Sequence, residues 1–235
     1  MGINLLEGIL RPGGLKITEE LIKICAFSPR SKILDLGCGA GVTVEYLATN
    51  SGWQVVGVDK DSVRIQEAKS RVPELNILEA YGESLPFSDA YFDGVFAECS
   101  LSVMDYNELV LKEINRVLRQ GGKLAISDLY LRHGFSDRLD EANSNFKVCL
   151  TGARTYSELQ NLLAVYGFRI IMWQDASKCL KEFVAQYIMA HGSLDRAWLT
   201  MDKGECEGRN CQGRVHKSKK DIGYFFLVAE KVSQA

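Results

Sequence analysis

From Ile33 to Asp128 the chain alternates short runs of consecutive apolar residues with longer stretches in which apolar side chains recur at helical spacing. This alternation is the pattern of a parallel sheet whose strands are joined by crossover helices. The runs predict strands over 33–36, 54–58, 76–80, 92–97 and 123–127, and the periodic stretches predict helices over 43–49, 61–71 and 106–119. The last of these helices has boundary signals of its own. Asp105 followed by Glu108 has capping-box spacing, and Gly121-Gly122 reads as a stop.

Ahead of the first strand, a turn over 12–14 leads into a helix with Thr18 as its N-cap and Glu19 and Glu20 in its first turn. Beyond Asp128 the pattern gives a loop, a helix near 155–166, a strand over 168–173, a helix over 176–190 and a final strand in IGYFFLVAEK. Before that strand lies MDKGECEGRNCQGRVHKSKKD, rich in glycine and charge and nearly free of apolar residues, which is expected to be mobile. The predicted organisation is a helical cover over 1–30 and one domain over 31–235, with a lid-like insertion at about 175–221.

A chain of 235 residues is long enough to bury one sizeable core. With 46% hydrophobic residues, 25% charged residues and a net charge of -2, it lacks the basic excess that accompanies nucleic-acid binding, so a small molecule is the expected partner. No apolar run approaches the length of a membrane span, and the first residues lack the basic and apolar regions of a secretory signal. No membrane partner and a cytoplasmic location are expected. Seven scattered cysteines read as free thiols. Cys206, Cys211 and His216 lack the second ligand pair of a zinc site, so no metal is expected. The aromatic residues of YIMAHGSLDRAW and IGYFFLVAE suit a core or the contact of a homodimer.

The first strand ends in ILDLGCGAGV, where Gly37, Gly39 and Gly41 follow Asp35. A dinucleotide fingerprint, GxGxxG, would need glycine where this chain has Val42. What remains is a tight turn that leaves room for a ligand directly against the main chain. Asp59, closing VVGVD, supplies a carboxylate able to accept two hydrogen bonds from a ribose diol. A pyrophosphate calls for helix N-terminal amides and basic groups, whereas a cationic sulfonium with an amino-acid tail calls for carboxylates and carbonyls. Asp35 favours the second.

ILDLGCGAG, VVGVDKD, GESLPFSDAYFDGVFA and EINRVLRQGGKLAISD, in this order and spacing, resemble the class I S-adenosylmethionine-dependent methyltransferases over roughly 15–131. The resemblance implies an α/β, Rossmann-like three-layer α/β/α fold with a seven-stranded, mostly parallel sheet whose last strand is antiparallel. It also implies a methyltransferase with S-adenosyl-L-methionine as cofactor. By the same resemblance Gly37, Cys38 and Gly39 face the methionyl part and Asp35 helps to hold its amino group. Asp59 takes the ribose, Lys60 lies beside the adenine, Gly82 and Glu83 form the adenine edge, and Glu98 and Cys99 lie next to the reactive methyl. Relatives often carry aspartate where this chain has Tyr81. Asp61 reads as a helix N-cap, and Leu85, Pro86 and Phe87 as scaffold.

Methyl transfer requires chiefly alignment and desolvation of the reactants. AECSLSV lacks the D/N-P-P-Y/F segment of DNA adenine methyltransferases. FAECSLSV and FKVCLTGARTYSELQNLLAVYGF resemble instead the cysteine-bearing segments of arsenite methyltransferases, which implies Cys99 and Cys149 as substrate thiols for a soft acceptor such as trivalent arsenic. Free cysteines are also commonly small buried hydrophobes. Two other readings stay open: a C- or O-methyltransferase of a quinone-like or other apolar metabolite, with His133 as candidate base, and a non-catalytic cofactor-binding module.

Overall fold

The computed structural model describes residues 11–133, 152–191 and 222–233. Strand β1 (Lys32–Leu36) lies between β2 (Gln54–Asp59) and β4 (Phe92–Glu98), parallel to both, and β3 (Ile77–Glu79) continues the sheet beyond β2. On the other side β5 (Leu118–Leu131) runs parallel to β4. The final strand β8 (Ile222–Lys231) is inserted antiparallel between β5 and β7 (Phe168–Asp175). The order is β3-β2-β1-β4-β5-β8-β7, with the two-residue β6 (Arg154–Thr155) paired to β5. This is the expected mostly parallel sheet with an antiparallel last strand. Strand order reverses between β1 and β4, and a crevice opens at the carboxyl ends of parallel strands at such a switch.

Alternation along the strands sorts the core into two layers. Leu34, Leu36, Val95 and Ala97 pack with α4 (Asn107–Val117) and α5 (Tyr156–Val165), while Ile33 and Phe96 pack with α1 (Gly14–Cys25), α2 (Val42–Ser51) and α3 (Ser62–Arg71). Asp35 and Glu98 share the parity of Ile33 and Phe96, so two carboxylates enter the layer beneath α1 and α2. Among the described helices none is long and apolar enough to cross a membrane.

Several boundaries differ from expectation for local reasons. Helix α1 begins at Gly14 behind a left-handed Gly13, and Thr18 is not its N-cap but an interior residue whose hydroxyl is used elsewhere. The N-cap of α4 is Tyr106, without a side-chain cap bond, rather than Asp105. A complete box forms instead between Thr155 and Glu158 at the start of α5. Helix α4 stops at Val117 because Leu118 enters β5 opposite Phe92, and Lys231 Nζ caps the carbonyls of Asn115 and Leu118 at 2.6 and 2.8 Å. Gly121-Gly122 consequently mark a register shift within the β4–β5 pair rather than a helix end. Asp61 caps α3 as expected, accepting from the amides of Val63 and Arg64.

Of the expected lid, α6 (Ser177–His191) packs on β8. Ala176 N donates to Tyr224 O at 2.7 Å, and Tyr224 N donates to Ser177 Oγ at 3.1 Å. The stretch 192–221, with Cys206, Cys211 and His216, lies outside the described residues, as does Cys149.

Candidate functional site

The glycine turn is folded back over β2 by two amides, Gly37 N and Cys38 N, which both donate to Val58 O at 2.8 and 3.1 Å. Gly37 has φ 74°, and a Cβ there would lie 2.5 Å from Ser100 Cβ, so glycine is required both by conformation and by space. Cys38 turns its thiol towards β2. It fits because Gly57 lacks a Cβ, which would lie 2.8 Å from Cys38 Sγ and 2.6 Å from Val44. Burial raises the Cys38 thiol far above its ordinary range.

Asp59, at the end of β2, is aimed by the neighbouring backbone. Oδ2 accepts from Gly39 N at 2.7 Å and Oδ1 from Asp61 N at 2.9 Å. A carboxylate has about four acceptor positions, so two remain for a diol. Nearby, Gly82 is buried against Leu36, Met104 and Val110, which forms an apolar floor suited to a flat ring. Glu83 is partly buried, while Lys60 and Tyr81 are exposed.

Beneath α1 and α2 lies a polar chamber. Glu98 (6% exposed) is paired with Arg11 at 2.9 Å and accepts from Thr18 at 3.1 and 3.2 Å and from Thr43 at 3.3 Å. Arg11 also donates to Thr18 Oγ1 at 2.7 Å. Burial works against the Arg11 charge, yet Glu98 and its neighbours hold the guanidinium above its ordinary value. Asp35 (3% exposed) leaves Oδ2 without a hydrogen-bond partner. Burial first, and Glu98 second, push its carboxyl up to about 8. Sequence reasoning missed Arg11, although an arginine beside Pro12-Gly13-Gly14 at a turn was a usable signal.

At the end of β4, Cys99 has φ 52°, a left-handed conformation that costs a side-chain-bearing residue about 1–3 kcal/mol and is held by a 2.7 Å bond from Cys99 N to Ser127 O. Its Sγ lies 3.1 Å from the hydroxyl of fully buried Tyr224, which in turn donates to Ser127 Oγ at 3.1 Å. Burial raises the Cys99 thiol well above its usual range. On the opposite face Asp128 anchors the turn after β4, accepting from Ser102 N and Ser102 Oγ at 2.9 and 2.6 Å. A cavity of about 30 Å³ adjoins it, between Asn107, Arg154 and Phe225. His133 is exposed just beyond β5, at the same end of the sheet as Cys99.

Leu85 and Phe87 behave as scaffold. Arg116 donates to both their carbonyls, at 3.0 and 2.7 Å, and Glu113 accepts from Leu85 N at 2.8 Å. The bare turn at Gly37, the aimed carboxylate of Asp59 and the unsatisfied oxygen of Asp35 fit an adenosine carrying a cationic tail, which is the chemistry of S-adenosylmethionine.

Comparison with known proteins agrees with that fit. Residues 34–126 match the family model described as a methyltransferase domain. An O-methyltransferase of Pyrenophora dematioidea is 30% identical over 226 residues, covering 92% of this chain and 81% of the relative. The O-methyltransferase rstn1 of Aspergillus nomiae is 31% identical over 166 residues, covering 68% and 74%. Among solved structures, a geranyl diphosphate methyltransferase in complex with S-adenosylmethionine superposes with a TM-score of 0.72 at 16% identity, covering 92% of this chain and 84% of that one. The [4+2]-cyclase SpnF gives 0.69 at 24% identity, covering 93% and 81%. These last two likenesses speak to the fold. With the curated relatives and the site geometry taken together, the chain belongs to the class I S-adenosylmethionine-dependent methyltransferases and acts on a small molecule.

Proposed function

We propose that the enzyme transfers the methyl group to an oxygen of a small, largely apolar organic acceptor. The observation that carries this reading is the state of Cys99, a thiol bonded to Tyr224 in surroundings that oppose its ionisation. Trivalent arsenic is bound by thiolates, and a partly buried thiol whose surroundings oppose ionisation is a poor ligand for it. The O-methyltransferase names of the relatives support an oxygen acceptor.

The donor supplies an electrophilic methyl on a sulfonium and leaves as a neutral thioether. Around it, in this reading, Asp35 and the main chain of Gly37, Cys38 and Gly39 hold the methionyl part, and Asp59 holds the ribose diol. Gly82 and Glu83 border the adenine together with the main chain at Lys60, and Glu98 closes the chamber from behind. Helix α1 is the cover. Alignment and exclusion of water are the chain's main contribution, a class of effect that supplies roughly 7–11 kcal/mol. His133 accepts the acceptor's proton.

Incubation with methyl-labelled S-adenosylmethionine and a panel of phenols, enols, carboxylic acids and arsenite tests the reading. Label is expected on oxygen, with turnover retained in Cys99→Ser. Label on arsenic, abolished by Cys99→Ser, would overturn it.

A further inference from the structure

The turn between β4 and α4 stands against Gly37 and Gly82, the two glycines that border the donor in the proposed site. Ser100 Cβ lies 2.5 Å from the place a Cβ would take at Gly37, Met104 Cε lies 3.6 Å from it, and Met104 Sδ lies 3.4 Å from the corresponding place at Gly82. On this side the turn is closely packed. On its other side Leu101, Ser102 and Asn107 line the cavity of about 30 Å³, and Asn107 Oδ1 is buried without a donor. Gly152 brings only main chain to that side, where a Cβ would lie 2.3 Å from Ser102 O. A void has no atoms to press back, so packing alone does not fix how closely the turn sits on the two glycines. Within the turn, Val103 N donates to Ser100 O and Met104 N to Leu101 O, at 3.3 and 3.2 Å, so a shift at Ser102 carries to both contact residues.

What ties the turn down is Asp128 on β5. Its carboxylate (4% exposed) accepts from Ser102 N on Oδ2 at 2.9 Å, and from Ser102 Oγ and Leu129 N on Oδ1 at 2.6 and 2.8 Å. Burial pushes the carboxyl up to about 6 while these bonds pull it back, so near neutral pH it is ionised and the bonds are charge-assisted. We propose that Asp128 is a positioning residue for methyl transfer, which acts through Ser102 to seat the turn on the two glycines and so sets where the donor's methyl lies. This rests on the donor reading given under Proposed function. The groups assigned there to grip the donor, namely Asp35, the main chain of the glycine turn and Asp59, lie outside this turn, so slackening it misplaces the donor rather than releasing it. Asparagine does not replace the carboxylate. Each oxygen holds a backbone amide, and either orientation of the asparagine side chain sets its NH2 against one of them.

The test titrates S-adenosylmethionine with an isotope-labelled methyl into the wild type, Asp128→Asn, Ser102→Ala and the double variant. Calorimetry gives the affinity, the magnetic resonance signal of the bound methyl reports its surroundings, and amide exchange is followed at Ser102. Asp128→Asn is expected to keep donor affinity within about threefold, to move the bound methyl signal and to speed exchange of the Ser102 amide. Transfer to an oxygen acceptor labelled in the panel above is expected to slow by about 100-fold, the scale of a misplacement of about 1 Å. Ser102→Ala keeps the amide bond, so it shows the same changes in smaller measure and adds nothing in the double variant. A methyl signal unchanged in Asp128→Asn overturns the proposal, as does an effect of Ser102→Ala that adds in full to that of Asp128→Asn. A fall in donor affinity as large as the fall in rate marks a role in folding alone and overturns it too. Each of these outcomes leaves the donor reading standing, whereas a wild type that does not bind S-adenosylmethionine overturns both.

Discussion

The chamber under α1 and the clamp under Leu85 and Phe87 use the same materials, an arginine and its carboxylates, and differ in how fully their hydrogen-bonding capacity is spent. In the clamp every N–H of Arg116 has an acceptor: Glu113 twice, Asp89, and the carbonyls of Leu85 and Phe87. In the chamber Arg11 leaves Nε idle and Asp35 leaves Oδ2 idle, and Ser100 Oγ, buried beside the glycine turn, is idle too. A saturated network is complete without a ligand and fixes the chain. An unsaturated one stores a penalty that a ligand relieves, so the ledger of satisfied groups separates scaffold from site where residue type does not.

The largest expected effect belongs to the glycine turn beside the chamber. Gly37→Ala forces a Cβ against Ser100 in a left-handed conformation and is expected to cost about 2–5 kcal/mol in denaturant unfolding, with donor binding lost in calorimetry. Arg116→Ala strips the clamp and is expected to cost about 2–4 kcal/mol while leaving donor affinity unchanged. Arg11→Gln leaves the buried Glu98 carboxylate without its ion-pair partner and is expected to lower both stability and donor affinity, and a loss of donor affinity by folded Arg116→Ala would erase the distinction between the two regions.

Protonation sharpens the contrast further. Asp35 faces Glu98 on β4, Arg11 ahead of α1, and Asp59 and Cys38 around the turn. Its folded-state value of about 8 lies above the ordinary 3.8, so the free folded protein holds a proton that the unfolded chain releases. That contribution to stability is fully present below the unfolded value and is lost as pH rises through the folded one. Unfolding free energy of the ligand-free protein is expected to fall by about 1–3 kcal/mol between pH 6 and pH 8, less in Asp35→Asn. Affinity for S-adenosylhomocysteine should rise over the same window, because an ammonium is held by the ionised carboxylate. The smallest effect belongs to Lys60→Ala. Its exposed side chain contributes little in the proposed site, and donor affinity should stay within about twofold.

Much of the fold was legible because its signals are local. IGYFFLVAEK forms β8 over its whole length, and Asp61 caps α3 through bonds to amides two and three residues away. The glycine turn and the Asp59 carboxylate were legible for the same reason, being fixed by neighbours in the chain or by the strand beside it. Asp105 and Glu108 have capping-box spacing, yet α4 takes Tyr106 as its N-cap, since spacing permits a cap without requiring it. The direction of the Cys38 thiol was not legible, because it is set by a missing side chain at Gly57 on the neighbouring strand.

What the sequence alone determined is the strand and helix alternation, the turn that only glycine can make, and the carboxylates at strand ends. Each follows from periodicity or from backbone sterics within a few residues. What only the tertiary structure decided is which of the charged groups are spent. Arg11 meets Glu98 across 87 positions of sequence, Thr18 meets it across 80, and Cys99 meets Tyr224 across 125. No local pattern encodes such pairings, because they arise from burying distant segments in one low-dielectric space where every polar atom must find a partner or wait for one.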